Sequence, residues 1–125
     1  GNFTNAFVSS KSDKTTSPET IYIDDFVNTN NIDFIDILHS DIQGYEFEML
    51  KGAESFIDKD KIGYLFISTH ANDVHYDCLN FLSSKNYLIL VDIDVDKTFS
   101  IDGLIVARSK NYHGLNEIKI SLKEN

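Results

Sequence analysis

Short apolar runs alternate along the chain with stretches of helical period. Ile35-Asp36-Ile37-Leu38-His39 is an apolar run that stops at Ser40-Asp41, which predicts a strand running into a turn. From Tyr45 to Ile57, Phe47, Leu50, Ala53 and Ile57 recur at three- to four-residue spacing, and Met49 and Phe56 widen the stripe. That period predicts a helix with one buried face. Glu46 and Glu48 fall in its first turns, near the positive end of the helix dipole, and Lys59 and Lys61 follow its end. Gly63 to Thr69 predicts the next buried strand. Asp73 can cap a second helix whose Val74, Cys78, Phe81 and Leu82 face one way, with Asn86 as a left-handed stop. Strands over Tyr87–Val91 and Leu104–Ala107 follow, and Ile118 to Leu122 alternates like an edge strand.

The pattern is weaker upstream. Residues 1–20 read as an irregular N-terminal segment, with an exposed loop from Ser9 to Pro18. Ile21-Tyr22-Ile23 suits a short strand, and Asp24 or Asp25 can cap a short helix ending near Asn30-Asn31. Strand, helix, strand, helix, strand is the rhythm of an α/β sheet with parallel, doubly covered central strands. No helix of ordinary length fits between Val91 and Leu104, so the last two strands are expected to close the sheet as an antiparallel hairpin.

Composition narrows the function classes. The 125 residues suit one domain, and 42% hydrophobic with 25% charged residues suit a folded, soluble one. The formal charge of −9 repels phosphate backbones and anionic lipid surfaces, so neither nucleic acid nor membrane is an expected partner. No apolar run approaches the roughly 20 residues needed to span a bilayer, and Gly1-Asn2-Phe3-Thr4 lacks the basic head of a signal peptide. Cys78 is the only cysteine, which excludes an internal disulfide and a thiolate zinc site. These features fit a cytoplasmic location.

In open α/β sheets, ligands sit outside the carboxyl ends of the strands. One central strand ends in His39-Ser40-Asp41, followed by Gln43-Gly44 and Glu46; the next ends in Thr69-His70, followed by Asn72, Asp73 and His75. If those strands are neighbours, Asp41 and His70 face one crevice. A carboxylate beside an imidazole can remove a proton from a substrate hydroxyl or amine. The plainer alternative makes Asp41 a helix cap and His70 a loop hydrogen-bonder. A metal held by His39, Asp41, His70 and His75 is not enforced by their spacing, and no metal site is expected. Asp92-x-Asp94-x-Asp96 opens like a calcium loop, but Lys97 stands where the glycine is required and Gly103 where the bidentate glutamate is. It reads instead as a strand with Val91, Ile93 and Val95 buried and a solvated acidic face.

Leu38-His39-Ser40-Asp41-Ile42-Gln43-Gly44-Tyr45-Glu46, followed by Glu48, Leu50 and Lys51-Gly52-Ala53, resembles the signature segment of FkbM-type methyltransferases. Ile21-Tyr22-Ile23-Asp24-Asp25-Phe26, Ser68-Thr69-His70 and Ser100 to Ala107 are similar to flanking parts of that family, so the resemblance spans roughly residues 20–108. It implies the C-terminal half of a class I (Rossmann-like) methyltransferase sheet within a single partial domain, with an α/β core at 21–108 and an edge segment at 109–125. It also implies S-adenosylmethionine as methyl donor and O-methylation of a sugar or other small-molecule hydroxyl. By resemblance, Asp41 lies near the transferred methyl group, Gly44 permits the tight entry into the helix, and Glu46 orients the turn or a substrate. With His70 from the crevice, Asp41 and Glu46 are the candidate catalytic residues, and His39, Ser40, Gln43 and Gly44 the candidate cofactor contacts. His39 stands where many relatives carry Lys, and Gln43 where many carry Glu.

The family's glycine-rich cofactor loop has no counterpart, since no two of the six glycines are close enough to form it. The residues before Ser9, a partner chain or a missing N-terminal half would have to replace it. A sheet short of its first strands leaves an open edge, so a homo-oligomer or a pairing with that missing half is expected near Ile21-Tyr22-Ile23. The competing function is a non-catalytic binding or assembly module on the truncated fold.

Overall fold

The computed structural model describes residues 1–124. Its elements in chain order are β1 (Phe7–Val8), β2 (Thr20–Ile21), α1 (Ile23–Thr29), β3 (Ile35–Ser40), α2 (Glu46–Gly52), α3 (Glu54–Asp58), β4 (Ile62–Thr69), α4 (Asn72–Ser83), β5 (Tyr87–Ile93) and β6 (Gly103–Ser109). The main sheet has the order β3-β4-β6-β5, while β1 and β2 pair in parallel apart from it.

The pleat of β4 decides the layering. Leu65, Ile67 and Thr69 are fully buried on one face, and Tyr64, Phe66 and Ser68 are partly covered on the other. The first face packs against Met49 and Leu50 of α2, Ile57 of α3, and Cys78 and Leu82 of α4. Opposite, Val91, Ile93 and Val106 form a smaller cluster joined by Phe66, Leu104 and Ile118. The helices therefore cover one face, and the C-terminal segment lies against the other.

The expected mixed α/β class holds, but the contiguous parallel centre does not. β3 and β4 are parallel, whereas β6 runs antiparallel to both β4 and β5 and lies between them. The connection from Ile93 to Gly103 carries no helix, and so short a link joins antiparallel strands. The closing hairpin is thus found, with β6 inserted where a third parallel strand would have stood. Nor does Ile118–Leu122 form an edge strand. Only Ile118 packs on the sheet face, while Ile120 and Leu122 of the same alternation stay exposed. Arg108, buried on β6, anchors this segment by donating to the carbonyl oxygens of Leu115 at 2.7 Å and Tyr112, and to Asn116 Oδ1 at 2.8 Å.

Six local expectations are corrected. Phe7–Val8 pairs with Thr20–Ile21, so the N-terminal segment is not irregular throughout, and Ile23 begins a helix. The single helix predicted over Tyr45–Ile57 is two, broken at Ala53. Asp24 fixes the break by accepting the backbone N–H groups of Ser55 and Phe56, each at 2.9 Å, which satisfies the first turn of α3. A Cβ on Gly52 would lie 2.3 Å from the Ser9 carbonyl oxygen, so the N-terminal segment rests directly on the α2 backbone. Neither Asp73 nor Asn86 has its predicted role. The N-cap of α4 is Ala71, and Asn86 is not among the left-handed residues but donates its amide to Asp60. Asp94, placed on a solvated face by alternation, is buried beyond the end of β5 and accepts from Tyr76 Oη at 3.1 Å and Lys97 Nζ at 3.2 Å.

Cys78 lies wholly within the main core. Burial pushes its thiol up to about 12, with the charges of Glu46 and Asp77 adding to the effect. Only the thiolate reacts, so native protein at pH 8 is expected to resist iodoacetamide, while unfolded protein is alkylated rapidly. Equal rates in buffer and in denaturant, followed by mass spectrometry, would contradict the buried placement.

Candidate active site

The turn after β3 is built by two residues in the left-handed region, Gln43 at φ 59° and Gly44 at φ 96°. Glycine at the second position adopts that conformation without a Cβ penalty. Glu46 closes the turn from the first position of α2. It is fully buried, and its Oε1 accepts the backbone N–H of Ile42 at 3.2 Å and of Gly44 at 3.1 Å. The same oxygen lies 2.8 Å from His70 Nδ1. One carboxylate thus sets both the turn and the orientation of an imidazole from the next strand.

Sheet register brings the rest together. Ser40 pairs with Ile67 across the parallel β3–β4 ladder, so the residues just past each strand end, Asp41 and His70, lie side by side. Asp41 Oδ1 is 3.0 Å from His70 Nε2. The antiparallel pairing of Thr69 with Gly103 places Asp102 on the other flank, its Oδ1 at 3.7 Å from the same nitrogen. Gln43 Nε2 approaches it to 3.3 Å. With Nδ1–H directed at Glu46, the ring turns its Nε2 toward two carboxylates and one amide.

Asp41 is not the cap of α2, whose N-cap is Tyr45 without a side-chain bond. His75 is not part of the crevice either. It is fully buried, with Nδ1 2.7 Å from Thr69 Oγ1 and Nε2 2.9 Å from Asp92 Oδ1, and so ties α4 to β4 and β5 beneath the site. A Cβ on Gly103 would lie 2.5 Å from that Thr69 oxygen, and glycine there lets β6 approach. Of the remaining candidates, Ser40 is buried with its Oγ unpartnered, and His39 is exposed on the opposite side of β3, outside the cluster's hydrogen bonds. Asp102 was not singled out from the sequence. Its signal was the Asp-Gly step that opens the last strand.

Two clefts border the cluster. One of about 360 Å³ is lined by Phe7, Val8, Thr20, Ile42 and Tyr45; another of about 310 Å³ by Thr98, Phe99, Ser100, Asp102 and Ile120. A larger cleft of about 580 Å³ between α1 and α3 contains none of the cluster residues.

Residues 1–89 match the family model for the methyltransferase FkbM domain. The chain belongs to the FkbM methyltransferase family. No curated protein and no solved structure gives a significant match. The FkbM match contains Asp41, Gln43, Glu46 and His70, while Asp102 falls outside it. It also starts earlier and stops sooner than the resemblance read over residues 20–108. No helix among the described residues is long and apolar enough to cross a membrane.

Proposed function

We propose that this FkbM domain takes part in O-methylation of a sugar or other small-molecule hydroxyl by S-adenosylmethionine, with Asp41 receiving the hydroxyl proton. The observation that carries this reading is the Asp41–His70–Glu46 chain of contacts, at 3.0 and 2.8 Å, in a family of methyltransferases. Glu46 orients the ring, and the ring stands beside Oδ1 of Asp41. The Asp41 side chain is about half exposed, which leaves its carboxylate accessible to an acceptor. Hydroxyl-bearing residues of the neighbouring cleft, Thr98 and Ser100, suit a polyhydroxylated one.

S-adenosylmethionine, when bound, supplies an electrophilic methyl group on a positively charged sulfur. The donor set fits that charge, because no Lys or Arg pairs with Asp41, Glu46 or Asp102 among the described residues. Gln43 and Gly44 present an open, polar turn beside it. We assign the rest of the cofactor's contacts to a segment or partner chain that completes the sheet, which makes this chain a partial, C-terminal class I domain. Supporting this, β3, β4 and β5 point the same way, and helices link β3 to β4 and β4 to β5. Transfer of labelled methyl from S-adenosylmethionine to glycan or small-molecule hydroxyls by the complete enzyme tests the reading. Label that goes only to nitrogen or carbon acceptors would refute it.

The completing strand would join β3. That strand is the edge of the main sheet, and Ile37 on it is 61% exposed, with Tyr45 beyond it at 60%. We therefore propose the pairing at this edge rather than near Ile21, where β1 pairs with β2. Unpaired edges recruit strands, so light scattering at micromolar concentration is expected to give a mass above 14.2 kDa. Replacing Ile37 with Lys should return the monomer mass. A strictly monomeric parent chain would overturn the edge assignment.

A further inference from the structure

We propose that Asp41, His70 and Asp102 form a binding site for a divalent first-row metal cation. One ligand atom from each lies within 4.8 Å of the others. The Asp41 Oδ1 to His70 Nε2 separation is 3.0 Å and the Nε2 to Asp102 Oδ1 separation 3.7 Å. An ion with bonds of about 2.0 Å in tetrahedral geometry spaces its ligand atoms about 3.3 Å apart. Small side-chain rotations at two partly exposed aspartates close the difference.

The orientation of the ring favours the same conclusion. Metal-bound histidines characteristically donate their second ring N–H to a carboxylate, which fixes the tautomer and leaves the other nitrogen free to ligate. Glu46 is placed to do this from the interior, at 2.8 Å from Nδ1. Two carboxylate oxygens then face the Nε2 lone pair, whose donor is the exposed Gln43 amide at 3.3 Å, which a cation would displace.

A separate observation concerns charge. Glu46 is fully buried, its second oxygen has no hydrogen-bond partner among the described residues, and its only ionic partner is His70. Among the described residues, Asp41 and Asp102 likewise form ion pairs only with His70. Three carboxylates therefore surround one imidazole, and the buried one keeps an oxygen without a partner, which is costly. A divalent cation at Nε2 supplies the missing positive charge. One nitrogen and two oxygens, with an open position toward solvent, suit Zn²⁺ or Mn²⁺.

This deepens the proposed function and rests on it only for the role of the ion. An acceptor hydroxyl in the open position would be acidified by the metal, with Asp41 Oδ2 free to take its proton. Binding can be measured without cofactor or acceptor, so the two ideas fail separately. Calorimetry of the chain with Zn²⁺ and with Mn²⁺ is expected to show one-to-one binding by at least one ion, at about 10 μM or tighter. Asp102→Asn should weaken it at least tenfold and His70→Ala should abolish it, while His113→Ala, remote in the C-terminal segment, leaves it unchanged. Asp102 lies in a surface loop, so its variant keeps the test interpretable if His70→Ala does not fold. Absence of saturable binding below about 1 mM for both ions overturns the site, as does affinity that is the same in Asp102→Asn as in the parent.

Discussion

Asp41→Asn is expected to lower methyl-transfer turnover of the complete enzyme by about 10²–10⁴-fold, the range for loss of a positioned general base. The substitution preserves shape but removes the basic oxygen. It should cost the fold little, because Asp41 caps no helix and its side chain is about half exposed. Turnover should therefore fall while the thermal midpoint and KM stay near the parent values. A merely structural role predicts the reverse, a lowered midpoint with turnover per folded molecule intact. Unchanged turnover would remove Asp41 from the chemistry and leave His70 without a defined task.

Much of the α/β arrangement could be read from periodicity because β4 and α4 each bury one clear face. Leu65 and Ile67 follow the two-residue period of the pleat, and Cys78 and Leu82 the helical one. The break at Ala53 could not be seen this way. It depends on Asp24, an acceptor about thirty residues upstream, whose bonds to Ser55 and Phe56 are tertiary. The Ile118–Leu122 alternation misled for another reason: only Ile118 packs on the sheet, and Ile120 and Leu122 stay exposed.

The same division holds at the candidate site. Asp41 and His70 were readable as strand-end residues because strand ends are local features. The position of Asp102 depends on β6 pairing antiparallel beside β4, and that insertion follows from a helix-free connection whose partner strand no local pattern names. Glu46 was read from its position as a helix-dipole residue and by resemblance as orienting the turn, and nothing in its spacing announced that it would be wholly buried against His70. His39, selected by family resemblance, is exposed where its neighbour Ser40 is buried, because adjacent residues of a strand face opposite ways.

Ile67→Ala is expected to destabilise the fold by about 2–5 kcal/mol, the range for truncating a fully buried aliphatic side chain. Ile67 has no solvent exposure and stands in β4 between Ser40 of β3 and Ile105 of β6. Its face of the sheet carries the main core with α2 and α4, so few atoms can move to fill the cavity. A domain of this size has only about 5–15 kcal/mol to lose. With a urea slope of roughly 1–3 kcal/mol/M, the midpoint should fall by about 1–2 M while the slope stays constant. Ile37→Ala on exposed β3 makes the comparison: it should shift unfolding by less than about 0.5 kcal/mol, and its effect should appear in association instead. If the two substitutions cost the same, the β3 edge is not exposed in solution, and the sheet is completed more firmly than an open edge allows. If Ile67→Ala costs less than about 1 kcal/mol, the layering of β4 against α2 and α4 is wrong.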